Sequence, residues 1–367
     1  MKKLRLPALA LALALTLGLS GCAGSPNDGT TPSQTPSVSP SETPAVQPSE
    51  TPAPSQTPAE LKTVRIGAVD DNGVLTDAAR IAQLQGYFEE ELAKVGYQPE
   101  YISFGWGGQP LNEAMIAGEI DVAMSDSMSQ LLLLASGTDI SAIAAINSRV
   151  QNGVAVQADS DIQTIQELEG HKAIIPAGSN QELYFERMAE AYGIDESKVE
   201  RINTVSDIVT VFSTKEADAV FYGLYTAYYM EGYGMGRTIE NTYEHPEWTG
   251  ESFVAAKKDY WAENPEAAKA LIRALVRAQE WAEETGKTDP DAVYAALSKD
   301  EFSTQVNARI YGYDTSFSYF KPEITDELRE KVGVVSKYLF DKGITDEKLQ
   351  VDDYLDNSFY EQVAQEQ

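Results

Sequence analysis

The chain has 367 residues, with 57 Asp plus Glu against 28 Lys plus Arg, a formal net charge of −29, two His and one Cys. That charge argues against a nucleic-acid partner, because phosphate binding needs clustered Lys and Arg and no such cluster follows residue 5. One Cys excludes an intramolecular disulfide framework or multi-thiolate metal site, and the far-apart His171 and His245 show no metal-ligand spacing. A surface or core role suits both His better. The length allows two or three domains, or two lobes with a tail, and 43% hydrophobic residues suffice to build cores.

Lys2, Lys3 and Arg5 form a positive n-region before the apolar stretch Leu6–Leu19, which is shorter than the roughly 20 residues a membrane-spanning helix needs. Leu19-Ser20-Gly21-Cys22 then resembles a bacterial lipobox. Residues 1–22 are therefore expected to be a lipoprotein signal peptide, with Cys22 as the acylated residue; the alternative is an uncleaved anchor. Either reading places the protein at the extracytoplasmic face of a membrane. Residues 23–60 hold nine of the 17 prolines, many Ser and Thr, and no Lys, Arg or aromatic residue. They predict a disordered tether, since such a tract cannot bury apolar area. Residues 61–367 carry 25 basic against 53 acidic residues. An anionic membrane would repel that body, which fits attachment by lipid.

From residue 63 strands and helices alternate, the pattern of parallel α/β sheets. Thr63–Val69 reads as a strand, followed by the turn Asp70-Asp71-Asn72-Gly73. Ile81, Leu84, Phe88, Leu92 and Val95 then share one face of a helix. Tyr101–Phe104 is a strand, Pro110 opens a helix ending near Gly118, Ile120–Met124 is a strand, Ser127–Ala135 a helix and Ile140–Ile146 a strand. The pattern restarts with strands Gly153–Gln157 and Ala173–Pro176, then helix Gln181–Tyr192 closed by Gly193, helix Val205–Phe212 and strand Ala219–Tyr222. Beyond the Gly/Tyr-rich stretch around Gly232, Gly234 and Gly236 lies strand Ser252–Ala256; the remainder reads as helical. Asn264-Pro265 and Asp289-Pro290 mark helix starts. The glycine stretch is not a dinucleotide fingerprint, because no strand–helix unit surrounds it.

Gly86-Tyr87-Phe88, Gly118-Glu119-Ile120-Asp121-Val122-Ala123, Asp161 to Lys172 (with Leu168, Gly170 and Lys172 in the pattern), Gly178-Ser179, Asn264-Pro265-Glu266-Ala267 and Val351-Asp352-Asp353-Tyr354-Leu355 follow one another in order. In that order they resemble type II solute-binding proteins of ABC importers, in the sulfonate/nitrate/taurine and thiamine-precursor binding branch. The resemblance spans about 63–360. It implies an α/β, two-lobed type II periplasmic binding protein fold with a hinge of two crossover strands and the ligand between the lobes. It further implies one lobe from 61–148 plus 250–367 and a second from 149–249. Ligand contacts are then expected on loops after strand ends.

In the first-strand loop, at most one of Asp70 and Asp71, beside Asn72, can face a ligand; a carboxylate there would repel an anion and attract an amine. The alternative is a solvated turn or helix cap. Trp106 lies in the glycine-rich loop with Gly107 and is either a stacking platform or a packing residue. Ser125, Asp126 and Ser127 follow the third strand, and Asp126 equally suits the cap of the next helix. Ser179 and Asn180 open a helix in the second lobe. Tyr222 and Tyr225 occupy the place of the family's aromatic ends, whereas Tyr228 and Tyr229 suit packing. Arg149 is the only basic residue expected near the cleft, with hinge ion pairing as its role.

The expected function is that of a lipid-anchored, monomeric protein that delivers a small organic ligand, a nitrogen heterocycle or amine or else a sulfonate, to an ABC permease and its ATPase by hinge closure. No cofactor, metal or catalysis is expected. The resemblance leaves two alternatives: an enzyme of the thiamine-pyrimidine-synthase type, whose Cys-rich motif is missing, and a surface sensor without a permease.

Overall fold

The computed structural model describes residues 61–69, 73–105, 107–205 and 207–366. The expected signal peptide and tether with Cys22, together with Asp70, Asp71, Asn72 and Trp106, lie outside the described residues. The chain first lays down β1 (Lys62–Ala68), α1 (Asp77–Leu84), α2 (Tyr87–Lys94), β2 (Tyr97–Ser103), α3 (Gly108–Ala117), β3 (Val122–Asp126), α4 (Ser127–Ala135) and β4 (Ile140–Val150). Next come β5 (Asn152–Gln157), β6 (Lys172–Ile174), α5 (Asn180–Tyr192), β7 (Glu200–Ile202), α6 (Ile208–Ser213), β8 (Ala219–Gly223), α7 (Leu224–Gly232) and β9 (Gly236–Asn241). It ends with β10 (Gly250–Lys257), α8 (Lys258–Glu263), α9 (Pro265–Gly286), α10 (Pro290–Ala296), α11 (Glu301–Tyr311), α12 (Asp326–Asp341), α13 (Val351–Tyr354) and α14 (Ser358–Gln365).

Two five-stranded sheets result, ordered β2-β1-β3-β10-β4 and β7-β6-β8-β5-β9. In each, the first three strands run parallel and the fourth is antiparallel to both its neighbours. That fourth strand is the one laid down as the chain arrives from the other sheet, β5 after β4 and β10 after β9. The sheets are thus mixed rather than parallel throughout, because the arriving strand enters without a crossover helix. Each sheet is covered on both faces. Along β10, Val254 and Ala256 join one apolar cluster and Phe253 and Ala255 the other; along β8, Ala219 and Phe221 face away from Val220. This is the period-two alternation of a two-sided strand.

The apolar row from Ile81 to Val95 does not form one helix. Gly86 takes φ 71, separating α1 from α2, and Leu84 stays 50% exposed. Gly118 and Gly193 close α3 and α5 in the left-handed conformation, as their positions predict. Helix α11 reaches over to the second sheet: Val306 and Ile310 share an apolar cluster with Phe212, Leu224 and Ala227. Lys331 of α12 ties the two crossings together, donating from Nζ to the Ser148 carbonyl and to Thr249 Oγ1, each at 2.7 Å.

Candidate functional site

A cavity of about 330 Å³ opens between the two sheets. One wall comes from the loop after β1 (Val69 and Val74 to Asp77), the floor from the crossing at Asn147 to Gln151, and the opposite wall from the β8–α7 junction at Tyr222 to Thr226. Lys299, Ser303, Asn307, Ile310 and Tyr311, from α11 and the turn before it, complete the lining with Leu297. Much of the surface is hydrocarbon, from Val74, Leu75, Leu224 and Ile310 and the rings of Tyr222 and Tyr225. Burial, with the nearby charge of Asp126, pushes the Tyr222 phenol up to about 12, so it stays protonated at neutral pH.

The carboxyl of Asp77 is the most constrained polar group in this wall. Its backbone sits at φ 54, in the left-handed region that non-glycine residues rarely adopt, although Asp tolerates it better than most. Asn147 Nδ2 at 2.8 Å and the Tyr311 hydroxyl at 2.7 Å both donate to its Oδ1. Asn147 Oδ1 in turn accepts from the Arg149 backbone N–H at 2.8 Å, which locks the amide in place. Burial raises the Asp77 pKa, opposed by hydrogen bonds from Tyr311, Asn147 and Thr76. The shift means that the folded site disfavours an unaccompanied anion.

Of the expected contacts, Tyr222 and Tyr225 line this cavity. Asp70, Asp71, Asn72 and Trp106 lie outside the described residues, although Val69 before the first three and Val74 after them line the cavity. Ser125 faces inward, its hydroxyl accepting from Gln130 Nε2 at 3.2 Å, which also donates to the Phe253 carbonyl at 3.1 Å. Ser127 is fully buried and donates to Glu251 Oε1. Ser179 caps α5, accepting from the Glu182 N–H at 3.3 Å. Gly107 precedes α3 at φ 99 and is not part of the cavity lining. Asp126 caps α4 through Ser129 N–H at 2.9 Å and accepts from Asn180 Nδ2 at 3.1 Å. That last bond joins the end of a first-sheet strand to the start of a second-sheet helix.

Arg149 lines the cavity and also meets Asp314 at 3.5 Å, as the ion-pairing reading anticipates. It is not the only basic residue there, however, because Lys299 also lines the cavity. The sequence hides Lys299, Ser303 and Tyr311, since they belong to a run that reads only as core helix. Asp77 escapes notice because the turn before it offers two closer carboxylates. Among the described residues no group of three His, Cys, Asp or Glu side chains could hold a metal ion. His171 pairs with Asp218 at 3.3 Å, and His245 stacks on Trp248 with ring centroids 3.7 Å apart.

The chain resembles several known proteins. A Brucella abortus protein named as a binding protein is 27% identical over 261 residues, 70% of this chain and 78% of that one. A Bacillus subtilis protein named for binding aliphatic sulfonates is 22% identical over 310 residues, 84% of this chain and 90% of that one. In structure, the chain superposes with a TM-score of 0.70 on a Methylobacillus flagellatus protein described as the periplasmic sulfonate-binding protein SsuA of an ABC transporter. The match has 23% identity and covers 84% of this chain and 95% of the other. The fold is therefore the two-lobed periplasmic binding protein fold. The family described as NMT1/THI5 like matches residues 78–288, more than half of the 367, and the chain belongs to that family.

Proposed function

We propose that the protein is an extracytoplasmic solute-binding protein that captures a small organic molecule between its lobes and presents it to the permease of an ABC importer. The observation that carries this reading is the cavity's construction: its walls come from both sheets and its floor from the crossing that joins them. A ligand held there touches both lobes and the hinge at once, so its binding energy favours the closed arrangement, which a permease can recognise. The names of the relatives support a binding role. We assign the lobes to residues 61–148 plus 250–367 and to 149–249, and attachment to a lipid on Cys22 behind the tether.

The test is a thermal-shift panel with the whole chain, covering taurine, alkanesulfonates, nitrate, pyrimidines, thiamine, riboflavin and simple amines, followed by X-ray scattering on each hit. A ligand at 100 times its Kd should add about 2.7 kcal/mol of stability, and the radius of gyration should fall on binding. Tight binding without compaction would contradict hinge closure.

A further inference from the structure

We infer that Asp77 sets the charge class of the solute, so that the ligand brings an amine or a protonatable ring nitrogen to this carboxyl rather than a sulfonate or other anion. The inference rests on the binding-protein reading above and narrows it. Asp77 stands in the cavity wall, and its carboxyl is held by neutral donors: Asn147 and Tyr311, which converge on Oδ1, and the Thr76 hydroxyl. A carboxylate can accept about four hydrogen bonds, so these three donors leave acceptor capacity on a carboxyl that lines the cavity. Among the described residues no Lys or Arg forms an ion pair with Asp77, and the Arg149 guanidinium is turned to Asp314.

A partly buried carboxylate without a cationic partner is costly, and a positive φ at a non-glycine residue adds strain. The first cost is offset if the solute supplies the missing cation. The surroundings suit a flat body behind that nitrogen: Leu75, Leu224 and Ile310 with the rings of Tyr222, Tyr225 and Tyr311. Lys299 lines the same cavity, which makes an anion the rival that the experiment has to exclude.

Calorimetry on the whole chain would compare benzylamine and 4-aminopyrimidine with benzenesulfonate and taurine, for the wild type, Asp77→Asn and Asp77→Ala. We expect a nitrogen base to bind the wild type and to lose at least tenfold in affinity to Asp77→Asn. Ligand-free Asp77→Asn should melt at or above the wild-type temperature, because the amide removes an unpaired anion and can still accept from Asn147 and Tyr311. If benzenesulfonate binds more tightly than benzylamine, and Asp77→Asn leaves that binding unchanged or tighter, the charge class is overturned while the binding reading stands. Unchanged binding of the base with a lower melting temperature in both variants would reduce Asp77 to a structural group and overturn the inference as well. If no probe of either charge binds at millimolar concentration, the inference falls, and the thermal-shift panel decides the solute-binding reading separately.

Discussion

Residue by residue, the polar groups between the lobes divide into those that face the cavity and those that hold the hinge. Glu251 belongs to the second set. It is 2% exposed, accepts from Ser127, and lies 3.8 Å from Lys331 Nζ. Burial pushes the Glu251 carboxyl up and the Lys331 ammonium down, each toward its neutral form. Lys331 therefore matters chiefly as the donor that satisfies Ser148 and Thr249 on the two crossings. Removing it strands those acceptors and leaves Glu251 with only the charge of Arg187 nearby. Lys331→Met should cost about 3 kcal/mol in urea unfolding, and Glu251→Gln less than about 1. If the two act together, the double variant should fall short of the sum by at least about 0.5 kcal/mol. Asp77 yields a pH prediction of definite sign. Its pKa is raised in the fold above the ordinary 3.8, so its contribution is fully present below that value and is lost as pH rises through the folded pKa. The melting temperature of the wild type should therefore fall relative to Asp77→Asn as pH increases from about 4; parallel curves would contradict the raised pKa. Little of this chemistry is legible in the sequence. Ser127 and Ser179 look like ligand hydroxyls because their positions after strands suit that role, yet one is committed to Glu251 and the other to capping α5. Which partner a hydroxyl meets depends on contacts over 100 residues away, as with Ser127 and Glu251.

At the scale of elements the sequence speaks more clearly, because local signals decide helix and strand. The helix expected at Ser127–Ala135 is α4, and Asp126 and Asp289 cap the helices they precede. Asn264, expected as a cap, makes no capping bond; its amide donates to the Tyr260 carbonyl at 2.9 Å and its oxygen accepts from Tyr97 at 2.9 Å. The three-residue β7 and the polar β9 leave no period long enough to read. Close approach between elements is another property a propensity pattern does not reveal. Gly67, next to last in β1, lets α3 and the segment before β3 lie against the sheet: a Cβ there would come within 2.6 Å of Ile120 Cδ1 and 2.7 Å of Leu111 Cδ1. Both side chains are buried, so making room for a Cβ disturbs the packing around them. Gly67→Ala should overpack this face and cost about 2 kcal/mol, read as a lower urea midpoint with an unchanged slope. A neutral result would mean that α3 shifts freely, and the loop ahead of it would then be less firmly placed than the packing implies.

For the whole molecule, the question is what holds the lobes around an enclosed space before a ligand arrives. Bonds between the two halves cluster on several elements. Asn180 donates to Asp126, the Tyr338 hydroxyl of α12 donates to Glu182 Oε2 at 2.7 Å, and Arg309 of α11 meets Glu231 at 3.1 Å while covering the Tyr228 ring at 3.7 Å. None of Asn180, Tyr338 and Arg309 lines the large cavity, so under the hinge closure proposed above their effect on a ligand comes through the balance between closed and open forms. A hydrogen bond to a charged acceptor contributes about 1.5 kcal/mol, roughly a tenfold change in an equilibrium. Apparent affinity scales with the fraction of molecules already competent to bind. Tyr338→Phe deletes one hydroxyl and leaves every cavity side chain in place. It should weaken solute binding by up to about tenfold, raise the radius of gyration of the ligand-free protein, and leave that of the saturated protein unchanged. Equal affinity in Tyr338→Phe and wild type, with identical scattering of the free proteins, would show that this bond does not bias closure. The hinge residues around Lys331 would then be the place to look for the control of opening.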